Sequence, residues 1–251
     1  MLKIIIALVQ VIVRQPQVNK MSNFPISWSN NTKQQSVASP EKNNGIVWSN
    51  QTKTIPLYDR NNIAPKCVIG LDRDGVINVD RGTYTYRPED FEPIAGSIEA
   101  ITKLRSMGHK IAIITNQGGI AKGLYTPKDV EAVHEYMFKL LGEAGCPSID
   151  ALYYSESSLR NDMYAKPNTG MFKRCEEENP YIKFNKGYFV GDKISDLKAA
   201  FKMGAKPILV LTGHGTETVK ELNKFSNQKI KKKTAIFDDL SSFVNWLATK
   251  N

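Results

Sequence analysis

Four short stretches of the chain carry carboxylate, hydroxyl and lysine side chains of the kinds that phosphoryl transfer requires. They are Asp72–Gly75, Thr115–Asn116, Lys166–Pro167 and Gly191–Asp196, and they read DRDG, TN, KP and GDKISD. Carboxylates can bind Mg²⁺ and can attack phosphorus, while hydroxyl, backbone N–H and lysine groups stabilise charged phosphoryl oxygens. Each stretch alone is a common loop sequence. Their combination in this order predicts a catalytic site.

The carboxylates divide into two expected roles. Asp72 and Asp192 can supply the hard oxygen ligands that Mg²⁺ prefers. The metal would offset the repulsion between Asp72 and an incoming phosphate dianion, so that Asp72 can act as the nucleophile and form an aspartyl-phosphate. Asp74 lies two residues further on. If the chain turns at Asp72, Asp74 can donate a proton to the leaving-group oxygen and later accept one from the attacking water.

The other polar residues of these stretches are expected to hold the phosphoryl group. The hydroxyl of Thr115 and the backbone N–H groups of Thr115 and Asn116 can bind phosphoryl oxygens. Lys166 adds positive charge that stabilises the transition state. Thr115, Asn116 and Lys166 therefore complete the predicted site.

Strands and helices alternate along the chain, and the four stretches follow strands. This pattern predicts an α/β fold of the Rossmann-like type, a parallel sheet with helices on both faces. Ligands of such sheets bind beyond the carboxyl ends of the strands, so the stretches should converge on one rim. The predicted strands are Cys67–Leu71, Lys110–Thr115, Ala151–Tyr154, Tyr188–Val190, Pro207–Leu211 and Thr234–Phe237. The predicted helices cover residues 98–107, 127–145, 170–178, 194–203, 216–224 and 239–248.

The four stretches resemble the motifs of the haloacid dehalogenase superfamily of aspartate-nucleophile phosphatases. The similarity covers residues 67–250. It is closer still to the subfamily of D-glycero-D-manno-heptose-1,7-bisphosphate 7-phosphatase and histidinol-phosphate phosphatase. The segments that carry it read LDRDGVINVD at 71–80, TNQGGIAKG at 115–123, KP at 166–167 and VGDK at 190–193.

The resemblance implies a full set of site residues. The implied cofactor is Mg²⁺, held by Asp72, the main-chain carbonyl of Asp74, and Asp192. The implied catalytic residues are Asp72, Asp74, Thr115 and Lys166. The implied substrate-binding residues are Asp80, Tyr84, Thr115, Asn116, Gln117, Gly118, Lys166 and Lys193.

The sequence departs from the subfamily in two places. Such phosphatases commonly carry a zinc loop of Cys and His ligands before an Arg-Lys-Pro motif, but residues 155–165 contain neither residue type, so no structural zinc is expected. Ala165 replaces the arginine beside Lys166, which removes a bidentate contact to phosphate or carboxylate.

Helices occupy most of the segments between the motifs. We therefore expect no large cap domain and an open site roofed by loops such as 79–92.

Composition and charge exclude other classes of protein. The 251 residues are 41% hydrophobic and 24% charged, unlike a collagen-like, wholly disordered or polytopic membrane chain. Cys67, Cys146 and Cys175 are widely spaced, which predicts reduced thiols rather than disulfides. The net charge is +9, but residues 1–66 hold eight basic against two acidic residues and residues 67–251 hold twenty-six against twenty-three. The larger part is nearly balanced, so charge alone does not make it a nucleic-acid binder.

Residues 1–65 are predicted to be a mostly flexible N-terminal extension that precedes a phosphatase domain at 66–251. The extension is rich in Asn, Gln, Ser and Lys and is interrupted by prolines. Its apolar run at 4–13 is shorter than the ~20 residues of a membrane-spanning helix, and signal, transit or anchor roles stay open, as does a start at Met21. Trp28 and Trp48 lie in the near-repeats ISWSNNTK and IVWSNQTK. The repeats could bind a protein partner or reflect a local duplication.

The expected function is Mg²⁺-dependent hydrolysis of a small phosphorylated metabolite, with a sugar phosphate favoured, by a cytoplasmic monomer without a stable membrane span. One alternative is a histidinol-phosphate phosphatase. Another is a nucleic-acid 3′-phosphatase whose basic extension binds the nucleic-acid backbone. This alternative predicts strongly salt-dependent substrate binding. No nucleic-acid partner is expected. A third is a scaffold protein that uses Trp28 and Trp48.

Overall fold

The computed structural model describes residues 18–21 and 67–250 of the chain. Within these residues, seven strands form one sheet in the order β1-β4-β3-β2-β5-β6-β7. The strands are β1 (Val18–Met21), β2 (Val68–Leu71), β3 (Lys110–Asn116), β4 (Ala151–Ser155), β5 (Tyr188–Gly191), β6 (Lys206–Val210) and β7 (Ala235–Phe237).

Strands β2 to β7 run parallel, which confirms the predicted fold class. The chain proceeds outward from β2 through β3 to β4, and then returns to the other side of β2 to form β5. The switch point of the sheet is therefore between β2 and β5, where ligands of open α/β sheets bind. The first two residues after the carboxyl ends of these strands are Asp72-Arg73 and Asp192-Lys193.

Helices cover both faces of the sheet because neighbouring strand residues point to opposite sides. In β3, Ile111 and Ile113 pack in one apolar cluster with helices α1, α2 and α7, while Ala112 and Ile114 pack in another with α3 and α4. The helices are α1 (Ser97–Ser106), α2 (Pro127–Glu143), α3 (Gly170–Glu178), α4 (Ile194–Lys202), α5 (Gly215–Leu222), α6 (Gln228–Lys231) and α7 (Leu240–Ala248). The four-residue α6 was not indicated by the sequence pattern.

Helix α2 shows how local sequence sets an element that supports the site. The side chain of Thr126 accepts a hydrogen bond from the backbone of Asp129, and Asp129 accepts one from the backbone of Thr126, which forms a capping box. Pro127 occupies the first helical turn, where its missing N–H costs nothing. The predicted start of this helix is confirmed.

The strand Val18–Met21 lies inside the predicted N-terminal extension and was not anticipated. It pairs antiparallel with β4 at the edge of the sheet, with Val18 opposite Ser155 and Met21 opposite Leu152. The apolar run at 4–13 and the repeats with Trp28 and Trp48 lie outside the described residues. Between residues 67 and 250, no segment forms a separate cap domain. No helix in the described part of the chain combines the length and the apolar character needed to cross a membrane.

Candidate active site

The predicted carboxylates converge at the switch point. Asp72 follows β2, Asp192 follows β5, and Asp196 lies in the first turn of α4. One carboxylate oxygen from each lies within 4.8 Å of the others, and all three residues are buried. Asp72 and Asp192 are thus close enough to share one cation. Asp196, which the sequence analysis did not count among the metal ligands, joins the same cluster.

Lys166 is the cation that faces this cluster. Its Nζ lies 2.9 Å from Oδ2 of Asp72 and 2.7 Å from Oδ1 of Asp196. It also donates a 2.8 Å hydrogen bond to the carbonyl of Ile114 in β3. Burial alone would lower the pKa of the Lys166 ammonium, but the charges of Asp196 and Asp72 outweigh burial and raise that pKa. Lys166 is therefore a fixed positive charge against Asp72.

The oxygens of the three carboxylates differ in what they bind. Asp72 accepts a hydrogen bond from the backbone of Arg73, and Asp196 accepts one from the backbone of Lys193. Asp192 accepts one at Oδ2 from the backbone of His214. Its other oxygen, Oδ1, is buried and has no hydrogen-bond partner among the described residues. A buried carboxylate oxygen without a donor is costly, and this oxygen together with Asp72 fits a divalent cation with oxygen ligands.

Electrostatic crowding follows from this arrangement. Burial, together with the charges of Asp196 and Asp72, raises the pKa of the Asp192 carboxyl to about 8, against the opposing effect of Lys193. Burial also raises the pKa of Asp72, while Lys166 opposes the rise. Three carboxylates lie around one buried lysine, so protonation is favoured at the carboxylate that has the fewest stabilising charges and hydrogen bonds. A bound divalent cation would reverse that preference, because its charge favours the ionised forms.

The Asp192 carboxylate packs closely against two glycines. A Cβ added to Gly75 or to Gly213 would lie 2.3 Å from Oδ2 of Asp192, and both glycines have positive φ, 84° and 56°. Thr212 links their loops through a 2.6 Å hydrogen bond to the carbonyl of Gly75. Any larger residue would displace the carboxylate, so these glycines fix its position.

Asp74 is held by a network of donors rather than by the aspartate cluster. Arg73 donates to both of its oxygens at 3.0 Å, Asn78 donates to Oδ1 at 2.9 Å, and Gln117 donates to Oδ2 at 3.0 Å. Burial would raise the pKa of the Asp74 carboxyl, but the Arg73 guanidinium and the amide hydrogen bonds outweigh burial and hold that pKa below its ordinary value. The chain bends at Arg73, between Asp72 and Asp74.

The predicted phosphoryl-binding residues follow β3, but several of their side chains bind protein groups. The amide of Asn116 bonds to the backbone of Lys166 in both directions, at 2.9 and 3.1 Å. Gln117 donates to the hydroxyl of Thr115 at 3.0 Å. A Cβ on Gly118 would lie 2.4 Å from the hydroxyl of Ser158, so the glycine permits close packing of loop 155–165. The Thr115 hydroxyl, which accepts from Gln117 and can still donate, and the backbone N–H groups of Thr115 and Asn116 stay the predicted phosphate ligands.

The predicted substrate contacts Asp80, Tyr84 and Lys193 lie at the mouth of the site. Lys193 donates to Oδ2 of Asp80 at 2.9 Å, and His214 lies 3.3 Å from the same oxygen. The hydroxyl of Tyr84 accepts a 2.8 Å hydrogen bond from Lys122. Lys193, His214 and Tyr84 are partly or largely exposed, so they can meet the part of a substrate that projects from the phosphoryl site.

Sequence reasoning missed three parts of this site. It gave no role to Arg73, and it foresaw neither the contact of the buried His134 with Arg73 nor the hydrogen bond by which the loop of Gly213 and His214 holds Asp192. Arg73 follows a predicted catalytic residue, which is a weak signal. The contact from Arg73 to His134 spans 61 positions, and no local pattern encodes it.

The fold and the site together define a class of protein: an α/β phosphohydrolase with carboxylates at the switch point of a parallel sheet. Comparison with known proteins agrees. The family model described as polynucleotide kinase 3 phosphatase matches residues 68–206. A D-glycero-beta-D-manno-heptose-1,7-bisphosphate 7-phosphatase of Pseudomonas putida is 37% identical over 177 residues, covering 70% of this chain and 97% of the relative. A D-glycero-D-manno-heptose-1,7-bisphosphate 7-phosphatase of Chlorobaculum tepidum is 38% identical over 61% of this chain and 83% of its own length.

A solved structure shows the same fold. The D,D-heptose 1,7-bisphosphate phosphatase of B. bronchiseptica, crystallised with magnesium and phosphate, superposes with a TM-score of 0.66 at 28% identity, over 74% of this chain and 99% of that chain. The chain belongs to the haloacid dehalogenase superfamily of phosphatases and is a phosphoric monoester hydrolase, as the motifs predicted.

Proposed function

We propose that this phosphatase acts through Asp72 as the nucleophile. The observation that carries the proposal is the convergence of Asp72 and Asp192 within the span of one cation, with Lys166 bonded to Asp72 at 2.9 Å. A carboxylate so placed can be both ligand and nucleophile. The fixed ammonium beside it can stabilise the charge of the transferring phosphoryl group.

Asp72, Asp192 and the main-chain carbonyl of Asp74 are the proposed ligands of Mg²⁺. When bound, the ion would offset the repulsion between the phosphate dianion and the carboxylates. Asp196 is not needed as a ligand, because Lys166 and the backbone of Lys193 occupy its oxygens. The expectation of no structural zinc stays a prediction.

The proposed reaction has two steps. In the first, an oxygen of Asp72 forms a bond to phosphorus, the ester P–O bond breaks, and its electron pair leaves with the alcohol oxygen, which takes a proton from Asp74. In the second, a water oxygen attacks phosphorus, Asp74 accepts the water proton, and the bond between phosphorus and Asp72 breaks to release phosphate. The lowered pKa of Asp74 suits the second step, since an ionised carboxylate can accept a proton.

We propose a sugar phosphate of the heptose 1,7-bisphosphate type as the substrate, hydrolysed at its primary phosphate. Relatives that align with this chain over nearly their whole length carry that name. The polar side chains of Lys193, His214 and Asp80 lie together beside the site and can form hydrogen bonds with a sugar.

The test is a phosphate-release screen of the full chain with Mg²⁺ against sugar bisphosphates, sugar monophosphates, histidinol phosphate and nucleotides. We expect the highest kcat/KM for the sugar bisphosphate. A preference for histidinol phosphate would change the proposed substrate but not the proposed mechanism. Absence of turnover on every ester would contradict the proposed function.

A nucleic-acid 3′-phosphatase is the second candidate, because the matching family model carries that description. A 3′-phosphorylated oligonucleotide belongs in the same screen. This candidate requires efficient turnover that falls steeply with salt, since each phosphate contact releases counterions. A flat salt response would remove it.

We also propose that residues 66–251 form the catalytic unit and that residues 1–65 serve another role, such as partner binding through Trp28 and Trp48. The catalytic residues of the proposal all follow residue 66. Deleting residues 1–60 should leave kcat within about threefold of the full chain. A larger loss would give the extension, including the strand Val18–Met21, a part in the catalytic unit.

A further inference from the structure

Arg73 is a charged residue buried at the centre of the site. It lies between the proposed nucleophile and the proposed acid/base, and it is 0% exposed. Its Nη2 group donates to both oxygens of Asp74 at 3.0 Å and to the carbonyl of Thr85 at 3.0 Å. The guanidinium therefore determines where the Asp74 carboxylate stands.

The other end of the guanidinium is held by His134. Nη1 of Arg73 lies 3.1 Å from Nε2 of His134, which is 0% exposed in the middle of α2. A guanidinium can only donate, so Nε2 is the acceptor and a neutral ring carries its hydrogen on Nδ1. Burial, and then the charge of Arg73, lower the pKa of His134 well below its ordinary value, which agrees with a neutral ring. The ring also packs edge-to-face against Tyr154 of β4, 5.6 Å between centroids.

We propose that His134 is a positioning residue: by accepting from Nη1 of Arg73, it locks the guanidinium on Asp74 and keeps that carboxylate in place for proton transfer. This inference rests on the proposed function of Asp74. Without an acceptor at Nη1, a buried donor loses this partner, which favours a turn of the guanidinium away from the Nε and Nη2 contacts that it makes with Asp74. The contacts of His134 described above are with Arg73 and Tyr154, so it would act on Asp74 through Arg73.

The two chemical steps depend on Asp74 to different degrees. With p-nitrophenyl phosphate, the leaving group is a weakly basic phenolate that needs little protonation, so attack by Asp72 can proceed with Asp74 misplaced. Hydrolysis of the aspartyl-phosphate requires Asp74 to accept a proton from water. Loss of the His134 contact should therefore slow the second step more than the first.

Two matched amide variants test this idea in the Mg²⁺-loaded full chain. The oxygen of Gln in His134→Gln can reach the position of Nε2, whereas the shorter Asn in His134→Asn cannot. For His134→Asn we expect kcat to fall roughly 10-fold or more, a part of the 100- to 10,000-fold that acid–base catalysis contributes. We also expect a burst of about one nitrophenol per enzyme molecule before the steady state. His134→Gln should recover most of the rate and show little burst.

His109 offers the control, since it is a buried histidine at the other end of β3, 3.1 Å from Cys67. His109→Gln should show no burst. A folded His134→Asn with wild-type kinetics, or one that loses rate without a burst, would overturn the proposal, because a merely structural role slows both steps. If His134→Asn does not fold, His134→Leu, which also lacks an acceptor at the position of Nε2, takes its place with the same expected burst. Failure of the wild type to hydrolyse any ester would instead reject the proposed function.

Discussion

Two ion clusters lie at opposite ends of the parallel strands of the sheet. At the carboxyl ends, Asp72, Asp192 and Asp196 form the active-site cluster around Lys166. At the amino ends, Asp150 precedes β4 and pairs with Arg105 at 2.5 Å and with Lys110 at 3.1 Å; we call these three residues the Asp150 cluster. Both clusters bury carboxylates. They differ in how those carboxylates are balanced.

The Asp150 cluster is complete. One carboxylate receives two cations and a 2.8 Å hydrogen bond from the backbone of Ile111. Arg105 donates further to the carbonyl of His109 and to Ser148. The active-site cluster has three carboxylates for one buried lysine, and Oδ1 of Asp192 has no hydrogen-bond partner among the described residues. A satisfied cluster stabilises the fold, whereas an unbalanced one fits a ligand that supplies positive charge.

The largest effect should follow from Asp72→Asn. The amide cannot attack phosphorus, so we expect kcat for a phosphate ester to fall by roughly 1,000-fold or more. Folding should persist, because Lys166 keeps Asp196 as a partner and one of the crowded charges is gone. Steady-state phosphate release and urea unfolding measure the two outcomes. Full activity of Asp72→Asn would contradict the role of Asp72 as nucleophile, and with it the catalytic role that distinguishes this cluster from the Asp150 cluster.

Asp192→Asn should separate metal binding from folding. The variant loses the oxygen charge that fits the cation, so we expect turnover to fall roughly 100-fold and Mg²⁺ to lose its stabilising effect on unfolding. Titration calorimetry with Mg²⁺ checks the binding directly. Wild-type Mg²⁺ affinity in the variant would remove Asp192 from the proposed ligands.

The stability of the same variant, measured in EDTA, should depend on pH differently from that of the wild type. The pKa of Asp192 is raised to about 8 in the folded chain, so between its unfolded pKa, about 4, and 8 the folded state binds the extra proton. The contribution of Asp192 to stability therefore falls as pH rises through that range. Asp192→Asn lacks this group, so its unfolding free energy relative to wild type should increase from pH 4 to pH 8. A constant difference would contradict the raised pKa.

Asp150→Asn makes the same chemical change in the complete cluster and should give the opposite pattern. Arg105 would lose its buried counter-charge, which we expect to cost about 3–5 kcal/mol of unfolding free energy. The kcat of the folded enzyme should stay within about twofold of wild type, because the cluster lies at the far end of the strands. A loss of kcat without a loss of stability would show that the two ends are coupled.

The comparison also shows what the sequence could predict. The six parallel strands and the four motif stretches were recognisable, because apolar runs and the residues that follow them are local signals. The convergence of Asp72 and Asp192 followed from a general property of parallel sheets. The strand Val18–Met21 was not recognisable, since its polar sequence carries no strand pattern and it is defined by pairing with β4.

Contacts between distant stretches could not be predicted either. Asn116 was expected near phosphate, yet its amide holds the backbone of Lys166, 50 positions away. His134 lies in the middle of a predicted helix, and only the structure shows its contact with Arg73. Such partners depend on how loops from different strands meet, which local propensity does not encode.

The smallest effect should come from the mouth of the site, where charges are only partly buried. Lys193→Gln removes the cation that binds Asp80 at 2.9 Å, and we expect KM for a sugar phosphate to rise roughly 10-fold, about 1.4 kcal/mol, with kcat changed by less than about threefold. Lys206→Gln is the matched control, because Lys206 starts β6 at the opposite end of the strands, 5.3 Å above the ring of Tyr188. If both variants left KM unchanged, Lys193 would only position Asp80. If both raised KM equally, the effect would be one of overall charge, and screening by 0.5 M salt should abolish it.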